Sequence, residues 1–238
     1  MRFTKRAVIA AALLFTGCAA PIALAQTPGD AITNPALKGP EVIAFAKIKS
    51  GDRVADIVAG RFVRAFSKAV GPTGKVYAVM PAEVLKAHPT VGDMLTKLAA
   101  MPEFANVVVS TPAINTPDLP KGLDEVFIRQ NYHDLHDPFM GPADVPAFNR
   151  HVYEALKPGG YYVIIDHAAP AGSGLADTNT THRIDEATLK AEVEAAGFKL
   201  DAESNMLANP ADDHSLMVFN PAVVGKTDQF VLRFRKPK

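Results

Sequence analysis

The stretch GDRVADIVAGRFVRAFSKAVGPTGKVYAVM, residues 51–80, decides the fold. Residues 53–58 are a short apolar run that ends in a turn at Gly60. Phe62, Val63, Phe66, Ala69 and Val70 then recur at helical spacing, and Gly71-Pro72 stops the helix. Residues 75–79 are a second β-rich run. Strand, tight turn, helix and strand make one βαβ unit, whose right-handed crossover lays the two strands parallel in one sheet. Ligands of open α/β sheets collect beyond the carboxyl ends of the strands. Here that end is VAGRF, residues 58–62. A nucleotide-binding turn wants several glycines so that backbone N–H groups can approach the ligand. This one keeps Gly60 alone, and Val58 and Arg61 stand where glycine would be easier.

Working outward, alternating strand and helix patterns extend on both sides. Residues 41–48 predict a short helix with Val42, Phe45 and Ala46 on the sheet edge. Residues 89–101, 144–156 and 185–196 predict further helices, the last with an acidic start and a stop at Gly197. Residues 106–110, 123–128, 161–165, 198–203 and 230–235 read as strands. Lys157-Pro158-Gly159-Gly160 reads as a sharp turn, residues 168–176 as a flexible loop, and residues 205–226 as a long polar insertion. The order predicts an α/β domain with a mainly parallel sheet of seven strands and a closing C-terminal pair.

The chain has 238 residues and is 48% hydrophobic, enough for one good-sized core. Residues 1–25 read as a cleaved signal peptide. Arg2, Lys5 and Arg6 are its basic region, residues 7–15 its apolar core, and Ala23-Leu24-Ala25 its cleavage site. The expected location is therefore the periplasm, with a lipid anchor through Cys18 as the lesser alternative and no stable membrane span. Residues 26–40 read as a partly ordered lead-in, and residues 41–238 as a single domain. Lys plus Arg equal Asp plus Glu at 25 each, so losing the three basic residues of the signal leaves a charge of −3. That balance argues against a nucleic-acid partner, which needs a basic face.

The polar residues gather where this fold puts a site. His133, Asp134, His136 and Asp137 follow the fourth strand, and Asp166 and His167 the fifth. His182 lies in the next loop, and Asp212, Asp213 and His214 lie in the insertion. An imidazole exchanges a proton near neutral pH, and a carboxylate beside it can hold its tautomer. The same residue types bind divalent metals, but the spacing of H-D-L-H is not diagnostic, and no metal ligand is assigned. Each of these histidines could equally be a hydrogen-bonded or capping group. Glu83, just past the second strand, could accept hydrogen bonds from ribose hydroxyls, or serve as an acid at a helix N-terminus. Asn131 could contact a polar ligand head or form a turn.

The segments VADI, VGPTGKVYAVMPAE, QNYHDLHDP, LKPGGYYVIIDHAA, HRIDEATLKAEVEAAGF, NPADD and GKTDQFVLRFRKP, read in order, resemble the exported predicted methyltransferases of bacteria. These are class I S-adenosylmethionine-dependent methyltransferase-like proteins. The resemblance spans nearly all of the chain after the signal. It implies a Rossmann-like fold with a C-terminal antiparallel hairpin and S-adenosylmethionine as cofactor. By that pattern Asp56, Ala59 and Gly60 fall in the first cofactor motif, Glu83 in the acidic position after the second strand, and Asn131 in the motif beside the methyl group. His133, Asp134, His136, Asp166 and His167 would form the catalytic group. The family's first turn is longer and richer in glycine, and Arg61 brings a bulky cation toward a sulfonium. Three functions follow as expectations: methyl transfer to a small molecule or envelope component, a non-catalytic binding protein on the same scaffold, or a metal-assisted enzyme using the His/Asp rim.

Overall fold

The computed structural model of the protein describes residues 29–141 and 143–238. The expected signal segment and Cys18 lie outside the described residues. Seven strands form one sheet: β1 (Arg53–Ile57), β2 (Lys75–Val79), β3 (Val107–Ser110), β4 (Leu123–Arg129), β5 (Leu156–His167), β6 (Lys199–Ser204) and β7 (Gln229–Arg235). Their order is β3-β2-β1-β4-β5-β7-β6. The pairs β1–β2, β1–β4, β2–β3 and β4–β5 are parallel, and β7 runs antiparallel to both β5 and β6. The seven-stranded, mainly parallel sheet with a terminal antiparallel hairpin is thus as the sequence predicts.

The helices are α1 (Gly39–Ala46), α2 (Val63–Val70), α3 (Ala82–Ala87), α4 (Pro89–Ala99), α5 (Val145–Ala155), α6 (Thr178–Thr181) and α7 (Glu186–Ala195). Asp144 caps α5 by accepting from the Ala147 N–H at 2.9 Å, and Asp185 caps α7 through the Ala187 N–H at 3.2 Å. Val54 to Ile57 are buried along β1, as suits a central parallel strand covered on both faces. Phe62 and Phe66, one helical turn apart, meet Phe127 of β4 with ring centroids 5.2 and 4.9 Å away. Burial of each ring is worth about 2–3 kcal/mol, which fixes α2 against the sheet.

Three features depart from the sequence reading. Lys157-Pro158-Gly159-Gly160 does not separate a helix from a strand, because β5 already begins at Leu156. The register slips between the Leu123–Leu156 and Glu125–Tyr161 pairs, so these residues form a bulge inside the strand. Gly159, at φ 81°, supplies the left-handed conformation the bulge needs. Next, the lead-in is docked rather than loose. Ala31 N–H donates to the Arg61 carbonyl at 2.9 Å, and Leu37 is buried. Gly39 packs so closely on this segment that a Cβ there would lie 2.1 Å from the Ala31 carbonyl oxygen. The insertion after β6 also has a firm anchor. Arg183, with no exposed surface, reaches Asp212 at 2.9 Å and the carbonyls of Ala168 and Leu216 at 3.0 and 3.2 Å.

Candidate functional site

The parallel register aligns Ile57 with Val79 and Ile128, and Arg129 with Ile165. One sheet edge therefore carries the first turn, Met80 to Glu83, Gln130 to Asp137, and Asp166-His167.

The first turn is closed upon itself. Val58 sits at φ 53°, a left-handed conformation that costs a β-branched residue about 1–2 kcal/mol. The Ala59 N–H donates to the Val79 carbonyl at 3.1 Å, and the Gly60 N–H to the Asp56 carboxylate at 3.3 Å. Neither amide is turned toward a ligand. Beside them, Arg61 Nε donates to the Gly29 carbonyl at 2.8 Å, and Arg129 Nη1 to the Gln130 side chain at 2.6 Å. Burial, reinforced by the Arg61 charge, lowers the Arg129 guanidinium to about 9. Glu83 accepts the Ile114 N–H at 3.0 Å, which leaves lone pairs on both oxygens. A cavity of about 40 Å³ beside Arg61 and Arg129, between the lead-in and the insertion, is lined in part by Leu37, Gln130, His167, Phe219 and Gln229, and not by Gly60 or Glu83.

Burial raises the Asp56 carboxyl to about 7, although the Gly60 N–H and the Arg129 charge oppose the rise. An unfolded aspartate titrates at about 3.9. Between these values the folded chain holds a proton that the unfolded chain has lost, so stability falls as pH rises from about 4 to about 7 and is flat above. The fall attributable to Asp56 is on the order of 3–4 kcal/mol. Urea denaturation across this range should show that decline in the native protein and a shallower one in Asp56→Asn. Parallel curves would rule out Asp56 as its source.

A second group of residues lies at the ends of β4 and β5. Asp166, fully buried, accepts three N–H groups at 2.8 Å: the His133 backbone, His133 Nδ1 and the His167 backbone. His133 Nε2 faces Asp134 Oδ1 at 3.2 Å, and Asn131 Nδ2 holds the other Asp134 oxygen at 2.6 Å. Burial opposes a charge on His133, but Asp166 and Asp134 outweigh it and raise the imidazole well above its ordinary range. Burial likewise works against ionised Asp134, and the His133 charge overcomes it, holding that carboxyl well below the usual range. His167 behaves oppositely: burial, then the His133 and Arg129 charges, push it well below the ordinary range, so it is neutral. Its Nδ1 lies 2.7 Å from the Thr227 hydroxyl.

The structure thus brings together His133, Asp134, Asp166 and Asn131, with the His167 ring centroid 6.1 Å from that of His133. His136 is not in this cluster: its Nε2 pairs with Glu192 of α7 at 3.2 Å, and Glu192 also accepts the Tyr132 hydroxyl at 3.1 Å. A histidine assigned to the rim by proximity in sequence instead ties the 3-10 turn over His133–His136 to α7. Arg129, Gln130, Arg183 and Thr227 join the site without any motif in the sequence that marks them. A half-buried arginine at a strand's last residue is recognisable only once the neighbouring strands are in place. Gln130 at φ 57° carries no sequence mark of its strained backbone.

No protein-family model and no curated protein matches the chain. Solved structures do. An S-adenosylmethionine-dependent methyltransferase from Aquifex aeolicus aligns with TM-score 0.58 at 22% identity, over 83% of this chain and 89% of that one. The YcgJ protein of Bacillus subtilis aligns with TM-score 0.56 at 17% identity, over 85% and 99% of the two chains. The [4+2]-cyclase SpnF aligns with TM-score 0.57 at 16% identity, over 85% and 80%. The fold is therefore the Rossmann-like fold of class I methyltransferases. At these identities the likeness concerns the fold alone, and SpnF carries a name from a different chemistry.

Proposed function

We propose that the protein is an S-adenosylmethionine-dependent methyltransferase for a small molecule or envelope component, with its cofactor cleft held shut by the lead-in. The observation behind this reading is the common carboxyl edge of a sheet in the strand order of class I methyltransferases, which gathers Asp56, Glu83, Asn131 and the Asp166–His133 pair. The polar groups suit an adenosyl ligand. Glu83 has lone pairs for ribose hydroxyls, and Asn131 has a carbonyl oxygen for an ammonium group. The space does not suit it in this closed form. Sites for ligands of this size run to roughly 300–1,000 Å³, whereas the neighbouring cavity at Arg61 and Arg129 is about 40 Å³ and does not reach Glu83 or Asn131. Residues 29–37 and Arg61 must withdraw to admit it, and the Arg64–Asp30 ion pair at 2.7 Å is part of what holds them.

When bound, S-adenosylmethionine supplies an electrophilic methyl group. On the acceptor side, His133 is clamped by carboxylates on both ring nitrogens and serves to order the turn rather than to take a proton. His167 is neutral and lines the cavity, so it is the group placed to accept a proton from an acceptor hydroxyl or amine. The main contribution of the site would be alignment of acceptor and methyl group. Export by a cleaved leader into the periplasm remains part of this proposal and rests on the sequence of residues 1–25.

Calorimetric titration with S-adenosylmethionine and its demethylated product tests the reading. Submillimolar binding of either supports it, and no heat at millimolar ligand removes it. Arg61→Gly should tighten the sulfonium ligand by about tenfold, because it removes a like charge and a tether of the lead-in. The neutral-sulfur product should gain less. Equal or weaker binding by the variant would show that Arg61 does not obstruct the cleft.

The filled cleft favours a second reading, a binding protein that uses this scaffold without turnover. Failure of both the native chain and Arg61→Gly to bind either adenosyl ligand would select it.

A further inference from the structure

Three segments bring side chains to one buried point behind the proposed cofactor edge. His133 Nε2 and Asp134 Oδ1 come from the turn after β4, Asp137 Oδ2 from the residue that closes it, and His182 Nδ1 from the end of α6. Asp134 Oδ1 is 3.2 Å from His133 Nε2 and 3.7 Å from His182 Nδ1, and His182 Nδ1 is 3.8 Å from Asp137 Oδ2. The ligand atoms of His133, Asp134 and His182 all fall within 4.8 Å of one another. A tetrahedral site with metal–ligand bonds of roughly 2.0–2.2 Å has ligand–ligand edges of about 3.3–3.6 Å, close to the spacings observed.

The alternative is a closed network of ion pairs, which would satisfy its own polar atoms. This one does not. Among the described residues, both oxygens of Asp137 and His182 Nδ1 are buried without a hydrogen-bond partner, and Asp134 Oδ1 has no contact closer than its 3.2 Å ion pair with His133 Nε2. Separations of 3.7 and 3.8 Å exceed hydrogen-bond range. The Thr178 hydroxyl donates to the Leu175 carbonyl at 3.3 Å and interacts only weakly with Asp137, whose carboxyl burial still raises. Asp137 has no exposed surface, and an unpaired buried carboxylate is costly. The outer contacts are those of a metal site. Asp166 holds His133 Nδ1 at 2.8 Å, which directs Nε2 inward, and Asn131 holds the outer oxygen of Asp134 at 2.6 Å. His182 keeps a left-handed backbone at φ 56°, and the Phe219 ring packs against it with centroids 5.1 Å apart. Strain of that kind persists where surrounding structure fixes a side chain for a purpose.

We propose that His133, Asp134 and His182, with Asp137 beside His182 as the fourth group, form a binding site for one divalent transition-metal cation of the zinc class. Two imidazoles and two carboxylates suit Zn²⁺, Mn²⁺ or Fe²⁺ better than Mg²⁺ or Ca²⁺, which prefer all-oxygen sites. The ion would join the β4 turn to α6 across the rim. The proposal is independent of whether an adenosyl ligand binds.

The test uses the full chain purified without a polyhistidine tag. After incubation with Zn²⁺ and dialysis, elemental analysis should find about one equivalent per chain. The ion at a hundredfold excess over its Kd should raise Tm by about 5–10 °C. Co²⁺ in its place should give the visible absorption of a tetrahedral site. Asp137→Asn keeps the shape of its residue, and His182→Asn suits a left-handed position, so both should fold. Each should abolish the shift and the absorption, whereas His214→Ala, in the separate His214–Asp228 pair, should keep both. Absence of retained metal and of any shift in the native chain overturns the proposal. So does survival of the shift in both Asn variants, or its loss in His214→Ala.

Discussion

Arg183→Met is expected to destabilise the protein by about 3–5 kcal/mol, because removing one member of a buried ion pair strands the other. Arg183 has no exposed surface, and Asp212, its partner at 2.9 Å, is 5% exposed. Asp212 also accepts the backbone N–H groups of His214 and Asp228 at 3.2 and 2.7 Å, so the pair pins the middle of the insertion between β6 and β7 to its C-terminal end. Two carbonyls, those of Ala168 and Leu216, lose their donor as well. For a chain of this size the loss corresponds to a fall in Tm of about 6–20 °C. Proteolysis should concentrate in residues 205–226, whose attachment is lost first. Replacing both partners by apolar residues should recover much of the loss, since an absent pair is cheaper than a broken one. A change below about 1 kcal/mol for Arg183→Met would mean that solvent reaches the pair.

The second large effect is at Asp166. Asp166→Ala removes the acceptor of three N–H bonds from a position with no exposed surface. The expected cost is again about 3–5 kcal/mol, from unsatisfied donors and an uncompensated His133. Asp166→Asn keeps an oxygen for one or two donors but presents an amide to the rest, so it should cost less. Chemical denaturation of the two variants beside the native protein separates these expectations. Equal small losses would show that Asp166 is not what orders the turn. If the order is Ala worse than Asn, the side chain of His133 rather than the strand pairing depends on this carboxylate.

The sheet was legible because its information is local. The βαβ unit at residues 51–80 shows its period in Phe62, Val63, Phe66 and Val70, and Gly71-Pro72 marks the stop. The βα alternation and the final strand pair then leave few arrangements. The rim was legible as a region, since parallel strands must share a carboxyl edge, and Asp166 with His133 fell within it. Individual roles were less so. His136 and His133 lie three residues apart in one motif, yet one turns to Glu192 and the other to Asp166. The join of His182 to Asp134 and Asp137 spans a loop whose Gly, Ala and Ser residues carry no periodic signal. Arg183 reads as an ordinary charge until the insertion buries it, and Arg129 until the neighbouring strands half-bury it. The docked lead-in was hidden for a similar reason: a Pro- and Gly-rich segment looks loose unless Arg61 and Arg64 are seen reaching it.

We propose that an adenosyl cofactor lies over the first turn once the lead-in moves aside. A crystal structure of the protein grown with millimolar S-adenosylhomocysteine tests it most directly. The account predicts the ligand's ribose on Glu83, its amino-acid end near Asn131, and residues 29–37 with Arg61 displaced from the cleft. Crystals in which Arg61 and Arg129 still fill an unchanged cavity, with the ligand absent or bound elsewhere, would contradict it.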